Sequence, residues 1–284
     1  MTRDLKGDEP RLEAQEYEQF SEFLRQSCGI NLGANKQYLV ATRVRRILMA
    51  SKLDSLKELT SLIQNDSQRL LRQQVIDAMT TNETFWFRDQ YPFDYLAKTI
   101  LPSYAEMRGG FPMRIWSAAC STGQEPYSIS MTIEEFTRGR FGMGQCEVEI
   151  LATDLSSSAL ELAKNGVYDK LSVARGLSEE RAKNFFLQCD AETWTAKDTL
   201  KKRIRFRPLN LQDSYFLLGK FDVIFCRNVL IYFSSELKRQ ILMRLHSSLN
   251  SGGILFLGAS EGINGMSDLY EMIDCQPGVA YRAR

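Results

Sequence analysis

Histidine is nearly missing: His246 is the only one in 284 residues. Ser-His-Asp and Cys-His mechanisms need an imidazole beside the nucleophile, so one histidine in a helical pattern argues against both. The six cysteines, Cys28, Cys120, Cys146, Cys189, Cys226 and Cys275, contain no CxxC pair. Neither a zinc site nor a disulfide framework is expected, and reduced thiols in a cytoplasmic setting fit better. No apolar run reaches the roughly 18 residues that span a bilayer. The polar, acidic start MTRDLKGDEPRLEAQEYEQ does not read as a secretory signal, so neither membrane insertion nor export is expected. A formal net charge of +1 lacks the strongly basic footprint of a dedicated nucleic-acid binder.

What remains is ordinary soluble composition, 44% apolar and 25% charged, long enough for two domains. Residues 1–80 read as an all-helical N-terminal domain behind a loose tail that ends near Glu13. Phe20, Phe23 and Leu24 make one stripe, Leu56, Leu59 and Ile63 another, and Val40, Val44, Ile47 and Leu48 a third between them. No acidic residue lies between Glu22 and Asp54, whereas Arg25, Lys36, Arg43, Arg45, Arg46 and Lys52 are all basic. On the 39–50 helix Arg46 lies opposite the apolar stripe, with Arg43 and Arg45 on its flanks. That pattern suits a solvated face, or a docking face for an acidic partner.

Residues 81–284 read as an α/β domain. TTNETFWFRDQYPFDYL (80–96) breaks the helical period and is expected to wall the second domain. A helix from about Pro92 to Met107 then ends at Gly109-Gly110. Strands are predicted at 113–119, 147–153, 203–209, 221–226 and 254–258, with helices at 126–137, 157–164 and 235–249 and a closing hairpin at 270–282. Ser156 and Ser234 are expected N-caps, and Asn165-Gly166 an expected helix stop. Strand–helix alternation of this kind gives a mainly parallel sheet covered by helices. An irregular insertion at about 168–202, partly helical from Leu177 to Leu187, interrupts it.

The chain is organised around MRIWSAACSTGQEPY (113–127): a buried strand, a turn of small residues, and a helix opened by Glu125-Pro126. Ligands of such sheets lie beyond the carboxyl ends of the strands, here at Ser117–Gly123, Asp154, Asn210 and Asn228. Asp154 stands where an acid meets the ribose of a nucleoside cofactor, and equally where one caps a helix. A dinucleotide pyrophosphate needs the close backbone approach of GxGxxG. This turn has one glycine, Gly123, and Glu125 would repel a phosphate. S-adenosylmethionine (SAM) has no phosphate and carries an ammonium and a sulfonium, so the pattern points to a methyltransferase. A nicotinamide dehydrogenase lacks its glycines. A methyltransferase of RNA or small molecules, and a silent signalling adaptor, stay open at this point.

MTTNETFWFR (79–88), WSAACSTGQEPYSISM (116–131), ATD (152–154), NL (210–211), FDVIFCRNVLIYF (221–233) and GGILFLGASE (252–261) together resemble the CheR family of chemotaxis receptor methyltransferases. TGQEPYS and CRNVLIYF in this order are its specific part, and the resemblance covers essentially the whole chain. It implies a class I SAM methyltransferase domain, Rossmann-like with a mostly parallel sheet, an all-α N-terminal domain and an inserted β-subdomain. The implied reaction is O-methylation of glutamate side chains on the cytoplasmic helices of methyl-accepting chemotaxis receptors, with S-adenosylhomocysteine as product and no metal. Residue by residue, it implies that Asn82, Thr84 and Arg88 close over the methionine end of the cofactor, where Glu125 also lies. Asp154 would meet the ribose, Asn210 and Leu211 the adenine side, and Asn228 and Val229 the remaining wall. Arg88 and Tyr232 would stand nearest the methyl group, and Arg43, Arg45 and Arg46 would dock the receptor. The N-terminal domain is also where a regulatory adaptor would bind. In some members the β-subdomain grips a receptor C-terminal pentapeptide. The long segment CDAETWTAKDTLKKRIRF (189–206) suggests a member that does without that tether.

The chemistry fits a chain poor in histidine. A glutamate side chain has a pKa near 4.3 and reaches the site already ionised, so no base is required. The work left is placing its oxygen in line with the CH₃–S bond at roughly 3 Å, worth several kcal/mol. Arg88 would hold the carboxylate in a fork that lysine cannot copy. Each ester formed removes a charge from a receptor bundle, a lever on a two-state signalling equilibrium.

Overall fold

The computed structural model describes residues 12–106, 112–138, 147–263 and 265–284. The expected N-terminal tail up to residue 11, the Gly109-Gly110 stop and Cys146 lie outside them. The chain divides into two compact units: residues up to Thr81 with Tyr232–Ser234, and Asn82–Ile231 with Ser235–Arg284.

The first unit is helical: α1 (Ala14–Cys28), α2 (Gln37–Ser51), α3 (Leu56–Ile63) and α4 (Arg69–Met79). Gly29 closes α1 in the left-handed conformation. Ser55 caps α3 by accepting from the Glu58 N–H. The stripes at Phe20/Phe23/Leu24 and Leu56/Leu59/Ile63 are buried, as are Val40 and Val44. Ile47 and Leu48 are only half-buried, so the third stripe packs through its first two turns. Arg43 donates to the carbonyls of Met79 at 2.8 Å and Thr80 at 3.0 Å, and to Thr81 Oγ1 at 3.1 Å. It therefore satisfies carbonyls that the end of α4 would otherwise leave without donors. Arg45 and Arg46 are exposed.

The second unit opens with a helical stretch, α5 (Tyr91–Tyr95) and α6 (Leu101–Glu106), joined through a π-helical turn at Leu96–Ile100. The sheet follows: β1 (Met113–Ala118), α7 (Gln124–Arg138), β2 (Val148–Asp154) and α8 (Ser157–Asn165). The insertion holds β3 (Val167–Asp169), α9 (Lys170–Ala174), α10 (Glu179–Phe185), β4 (Phe186–Gln188), β5 (Thr193–Ala196) and α11 (Asp198–Lys201). Then come β6 (Ile204–Pro208), β7 (Phe221–Cys226), α12 (Ser235–Ser248), β8 (Leu249–Leu257), β9 (Tyr270–Cys275) and β10 (Gly278–Ala283).

The main sheet runs β6-β2-β1-β7-β8-β10-β9. Neighbours from β6 to β8 are parallel, and β10 is antiparallel to both β8 and β9. From β1 the chain steps out one way to β2 and later the other way to β7, so the switch point lies between β1 and β7. The mostly apolar make-up of β1 and β7, each half-buried only at its second residue, follows from burial on both faces. On one face Ile115, Ile150, Val223 and Phe225 join Ile129 and Ile133 of α7 in the core. On the other, Trp116 meets Tyr215 and Phe221 edge-on or tilted at 5.1 and 5.3 Å. Strands β3, β5 and β4 form a separate three-stranded antiparallel sheet, the small β-subdomain expected of the insertion.

Three local expectations change. Helix α7 begins at Gln124, so Pro126 is its third residue and not its first; the missing N–H still falls among the four without intrahelical partners. Strand β8 begins at Leu249, ahead of Gly252-Gly253, and its register with β7 shifts between Phe221 and Val223. The glycines therefore sit at a bulge within the strand and do not lead into it. The helix expected from Pro92 starts one residue earlier, at Tyr91, and widens into a π turn at Leu96–Ile100 without interruption. The Ser156 cap and the Gly166 stop of α8 are as expected.

Candidate active site

The turn after β1 is built from strained backbone. Ala119 and Ser121 both have positive φ, 59° and 51°, and so does Asn228 after β7, at 59°. Non-glycine residues there cost of order 1–3 kcal/mol each and cluster at functional sites. Gly123, at φ 97°, is required by crowding as well: a Cβ would lie 2.9 Å from Ala163 Cβ and from the Tyr168 hydroxyl. Asp154, nearly buried at the end of β2, ties this turn to the next. Its Oδ2 accepts from the Ser121 N–H at 2.7 Å and its Oδ1 from the Ser156 N–H at 2.9 Å. Both sequence readings of Asp154 thus meet in one side chain, which steadies the α8 entry and lies against the β1 turn. The Leu209 N–H donates to the Asp154 carbonyl at 3.0 Å, which brings Asn210 to the same edge. Asn210 Oδ1 accepts from the Gln212 N–H at 3.0 Å, and Leu211 is buried.

The 82–90 stretch is pinned to the same place. Ser121 Oγ donates to the Asn82 carbonyl at 2.9 Å, and the Phe87 N–H donates to Ser128 Oγ on α7 at 3.1 Å. Trp86 is buried, with its Nε1 donating to the Ser172 carbonyl at 2.9 Å. Phe87, Asp89 and Gln90 all have positive φ. Thr84 is half-buried. The Arg88 guanidinium lies over the Phe85 ring at 5.4 Å and makes a long bond, 3.4 Å, to the Glu83 carbonyl.

Sequence reasoning missed the centre of this region. Arg227, 1% exposed at the end of β7, donates to Glu125 Oε2 at 3.0 Å, Asp89 Oδ2 at 2.7 Å and the Arg88 carbonyl at 2.6 Å. Ser117 Oγ donates to the other Glu125 oxygen at 2.7 Å. Burial pushes the Glu125 carboxyl above its usual range, and the Arg227 charge opposes that rise. Two carboxyl groups thus share one guanidinium, and the Arg88 charge acts on Glu125 as well. Glu261 was missed as well. Its Oε2 accepts from the N–H groups of Asn228 and Gly258, both at 2.7 Å, and its Oε1 from Ile231 at 3.3 Å. A Cβ on Gly258 would fall 2.6 Å from Asn228 Nδ2, so this approach requires glycine. The signal for Arg227 lay in the motif: an arginine ending a mostly apolar strand needs a buried anion.

Of the remaining candidates, Val229 is half-buried next to Asn228. Asn228 Oδ1 is buried and has no hydrogen-bond partner among the described residues, an acceptor that a ligand donor would satisfy. Tyr232 groups with the helical unit, where its carbonyl accepts from the Asn31 N–H at 2.9 Å. The second unit therefore brings together Asn82, Arg88, Glu125, Asp154, Asn210 and Asn228 at the carboxyl ends of β1, β2, β6 and β7.

Residues 82–279 match the family description "CheR methyltransferase, SAM binding domain", and residues 15–80 match "CheR methyltransferase, all-alpha domain". The chain belongs to the CheR methyltransferase family. It is 52% identical over 269 residues to "Chemotaxis protein methyltransferase 1" of Pseudomonas aeruginosa, covering 95% of this chain and 98% of that one. "Chemotaxis protein methyltransferase Cher2" of Pseudomonas putida is 51% identical with the same coverage. A more distant "Chemotaxis protein methyltransferase" from Borreliella burgdorferi is 34% identical, covering 85% of this chain and 86% of that one. The class I SAM methyltransferase fold expected from the motifs is the one this family membership and sheet order carry. The residues fit a SAM-type ligand on their own chemistry: a buried acid, Glu125, at the opening of α7, an acid at the end of β2, a buried Asn228 oxygen with no hydrogen-bond partner among the described residues and a turn without phosphate-binding glycines.

Proposed function

We propose that this chain methylates glutamate side chains on the cytoplasmic helices of methyl-accepting chemotaxis receptors, with SAM as donor. The observation that carries the reading is the Glu125 carboxyl, buried at the strand ends with Arg227 on one oxygen and Ser117 on the other, an acid that suits a cationic cofactor and disfavours a pyrophosphate. The chemotaxis methyltransferase relatives, matched over nearly their whole length, supply the acceptor class.

Glu125 would take the ammonium end of the cofactor, Asp154 the ribose hydroxyls, Asn210 with Leu211 the adenine side, and Asn228 with Val229 the wall between. Asn82 and Thr84 would cover the methionine end. Once bound, SAM supplies a methyl carbon activated by its sulfonium, and what leaves is the neutral thioether S-adenosylhomocysteine. The acceptor carboxylate, with a pKa near 4.3, has no proton to lose at neutral pH, so the protein needs no base. Its own residues exclude water and orient the acceptor. Arg88 is the orienting cation, free to leave its long 3.4 Å bond to Glu83 and fork onto an acceptor carboxylate. Arg45 and Arg46 are the receptor-docking residues of α2, joined in that role by whatever charge Arg43 still presents beyond its bonds to the end of α4.

The test is to supply labelled SAM with receptor cytoplasmic fragments and, separately, RNA. Label in the receptor that leaves as methanol in base supports a carboxylate acceptor. Label in RNA, or none with S-adenosylhomocysteine failing to bind in calorimetry, overturns the proposal.

A further inference from the structure

The stretch GGILFLGASE (252–261) runs through β8 and past its end, and the function proposed above uses none of its residues. Strand β8 pairs with β7 as far as Leu257 opposite Cys226. Two positions later on the β7 side, Asn228 bends the chain into the left-handed region, at φ 59°. On the β8 side a tight turn follows, in which the Glu261 N–H donates to the Gly258 carbonyl at 2.9 Å. That turn brings the Glu261 side chain back across both strand ends. Its Oε2 accepts from the Asn228 and Gly258 N–H groups, each at 2.7 Å, and its Oε1 from the Ile231 N–H at 3.3 Å.

Hydrogen bonds from backbone amides to a carboxylate are stronger than those to a neutral acceptor, and here they grip both ends of the 228–231 segment. Gly258 supplies the room. A Cβ there would lie 2.6 Å from Asn228 Nδ2, 2.8 Å from Asn228 N and 2.7 Å from Glu261 Oε2. Gly258 is not among the glycines of positive φ, so it is needed for space and not for backbone freedom. Left-handed backbone is unfavourable for a residue with a side chain. Asn228 would relax out of it without an outside hold, and its Oδ1 would move as well. That oxygen is the buried acceptor with no hydrogen-bond partner among the described residues.

We infer that Glu261 is a positioning residue of the cofactor site: with Gly258 making the room, its carboxylate holds Asn228 in the left-handed bend that sets the Asn228 side chain against the cofactor. The inference rests on the SAM site proposed above and adds the group that builds one of its walls. Glu261 acts through the backbone of Asn228 and need not touch SAM. The wall is the same for SAM and for S-adenosylhomocysteine, so its loss is a loss of uniform binding. It falls on cofactor affinity and on KM for SAM, and much less on kcat.

Calorimetry of S-adenosylhomocysteine on the full chain tests this, at a temperature where thermal unfolding shows each variant folded. Glu261→Ala should weaken binding by about tenfold and raise KM for SAM as much, while kcat on receptor fragments stays within about threefold. Glu261→Gln keeps one carbonyl oxygen for the two amides and should return affinity to within about threefold of wild type. Asn228→Ala should itself cost about tenfold, and the cycle between the two positions separates positioning from a second, unrelated contribution. If Glu261 acts through Asn228, the double variant binds within about threefold of Asn228→Ala alone, whereas independent losses multiply to about a further tenfold. Gly258→Ala reads the same contact from the other side, keeps the acid, and should also weaken S-adenosylhomocysteine by about tenfold; it carries the test should Glu261→Ala fail to fold. An acid with only a structural role would lower the melting temperature and leave the affinity of the folded chain unchanged. Wild-type affinity in Glu261→Ala, Gly258→Ala or Asn228→Ala, or losses that multiply in the cycle, overturns the positioning role and leaves the methyltransferase reading intact. A wild-type chain that binds no S-adenosylhomocysteine overturns both.

Discussion

Replacing Arg227 by methionine tests whether the buried cluster is held by charge. The guanidinium is 1% exposed and serves Glu125, itself 13% exposed, and Asp89, at 29%. Methionine keeps much of the apolar volume against Phe93, over which the guanidinium lies at 5.9 Å, and removes the charge. Asp89 can turn toward water, so its loss is worth no more than about 1 kcal/mol. Glu125 cannot, and stranding a buried partner costs about 3–5 kcal/mol. The expected destabilisation is thus about 3–5 kcal/mol at pH 8, a large share of a typical folding free energy. The pH dependence follows from the direction of the Glu125 shift. Its folded pKa is already raised above the unfolded value by burial, so its charged form opposes folding as pH rises through the folded pKa. Removing Arg227 raises that pKa further. The difference between variant and wild type should therefore be greatest at pH 8 and shrink as pH falls through the variant's folded pKa toward 5. Adding Glu125→Gln to Arg227→Met should recover about half of the loss or more, since an amide can be buried without charge. Urea unfolding at the two pH values measures both effects. A loss that does not change with pH, or a double variant no more stable than the single, refutes the charge argument.

Other outcomes follow from the same geometry. Asp154→Asn should weaken S-adenosylhomocysteine by at least tenfold in calorimetry, because a charged hydrogen bond is worth about 1.5–3 kcal/mol; unchanged affinity removes Asp154 from the ribose site. Arg88→Lys should lower kcat by at least tenfold and leave cofactor affinity within about twofold, and equal turnover would deny it the orienting role. Arg45→Glu with Arg46→Glu should raise the receptor KM without touching cofactor affinity or folding. Arg43→Ala should instead lower stability by about 1–3 kcal/mol in thermal unfolding, through the carbonyls at the end of α4 that it serves.

The parts of the chain that were legible beforehand are those decided by near neighbours. Phe221–Cys226, apolar but for Asp222, became β7 at the expected bounds. Ser156 and Gly166 sit at the ends of α8, where capping chemistry puts them. Asp154, Asn210 and Asn228 follow from the rule that strand ends face the ligand, and the structure brings them to one edge. What stayed hidden depends on partners far along the chain. Arg227 meets Glu125 across 102 positions and Asp89 across 138, and neither pairing leaves a periodic trace. Arg43 reads as a surface charge on α2 until α4 folds back and offers its carbonyls. The bulge at the start of β8 is set by its register with β7, which Gly252-Gly253 alone cannot reveal.

The left-handed residues Ala119, Ser121 and Asn228 bear on how this protein would respond to engineering. Glycine at any of them would relieve local strain, at the entropic price of a looser unfolded chain. A screen that rewards heat resistance alone could thus drift toward a relaxed turn whose amides no longer point where Asp154 and Glu261 now hold them. Variants meant to last longer on the bench are better sought on the outer faces of α1 and α12, away from the three bends that shape the crevice.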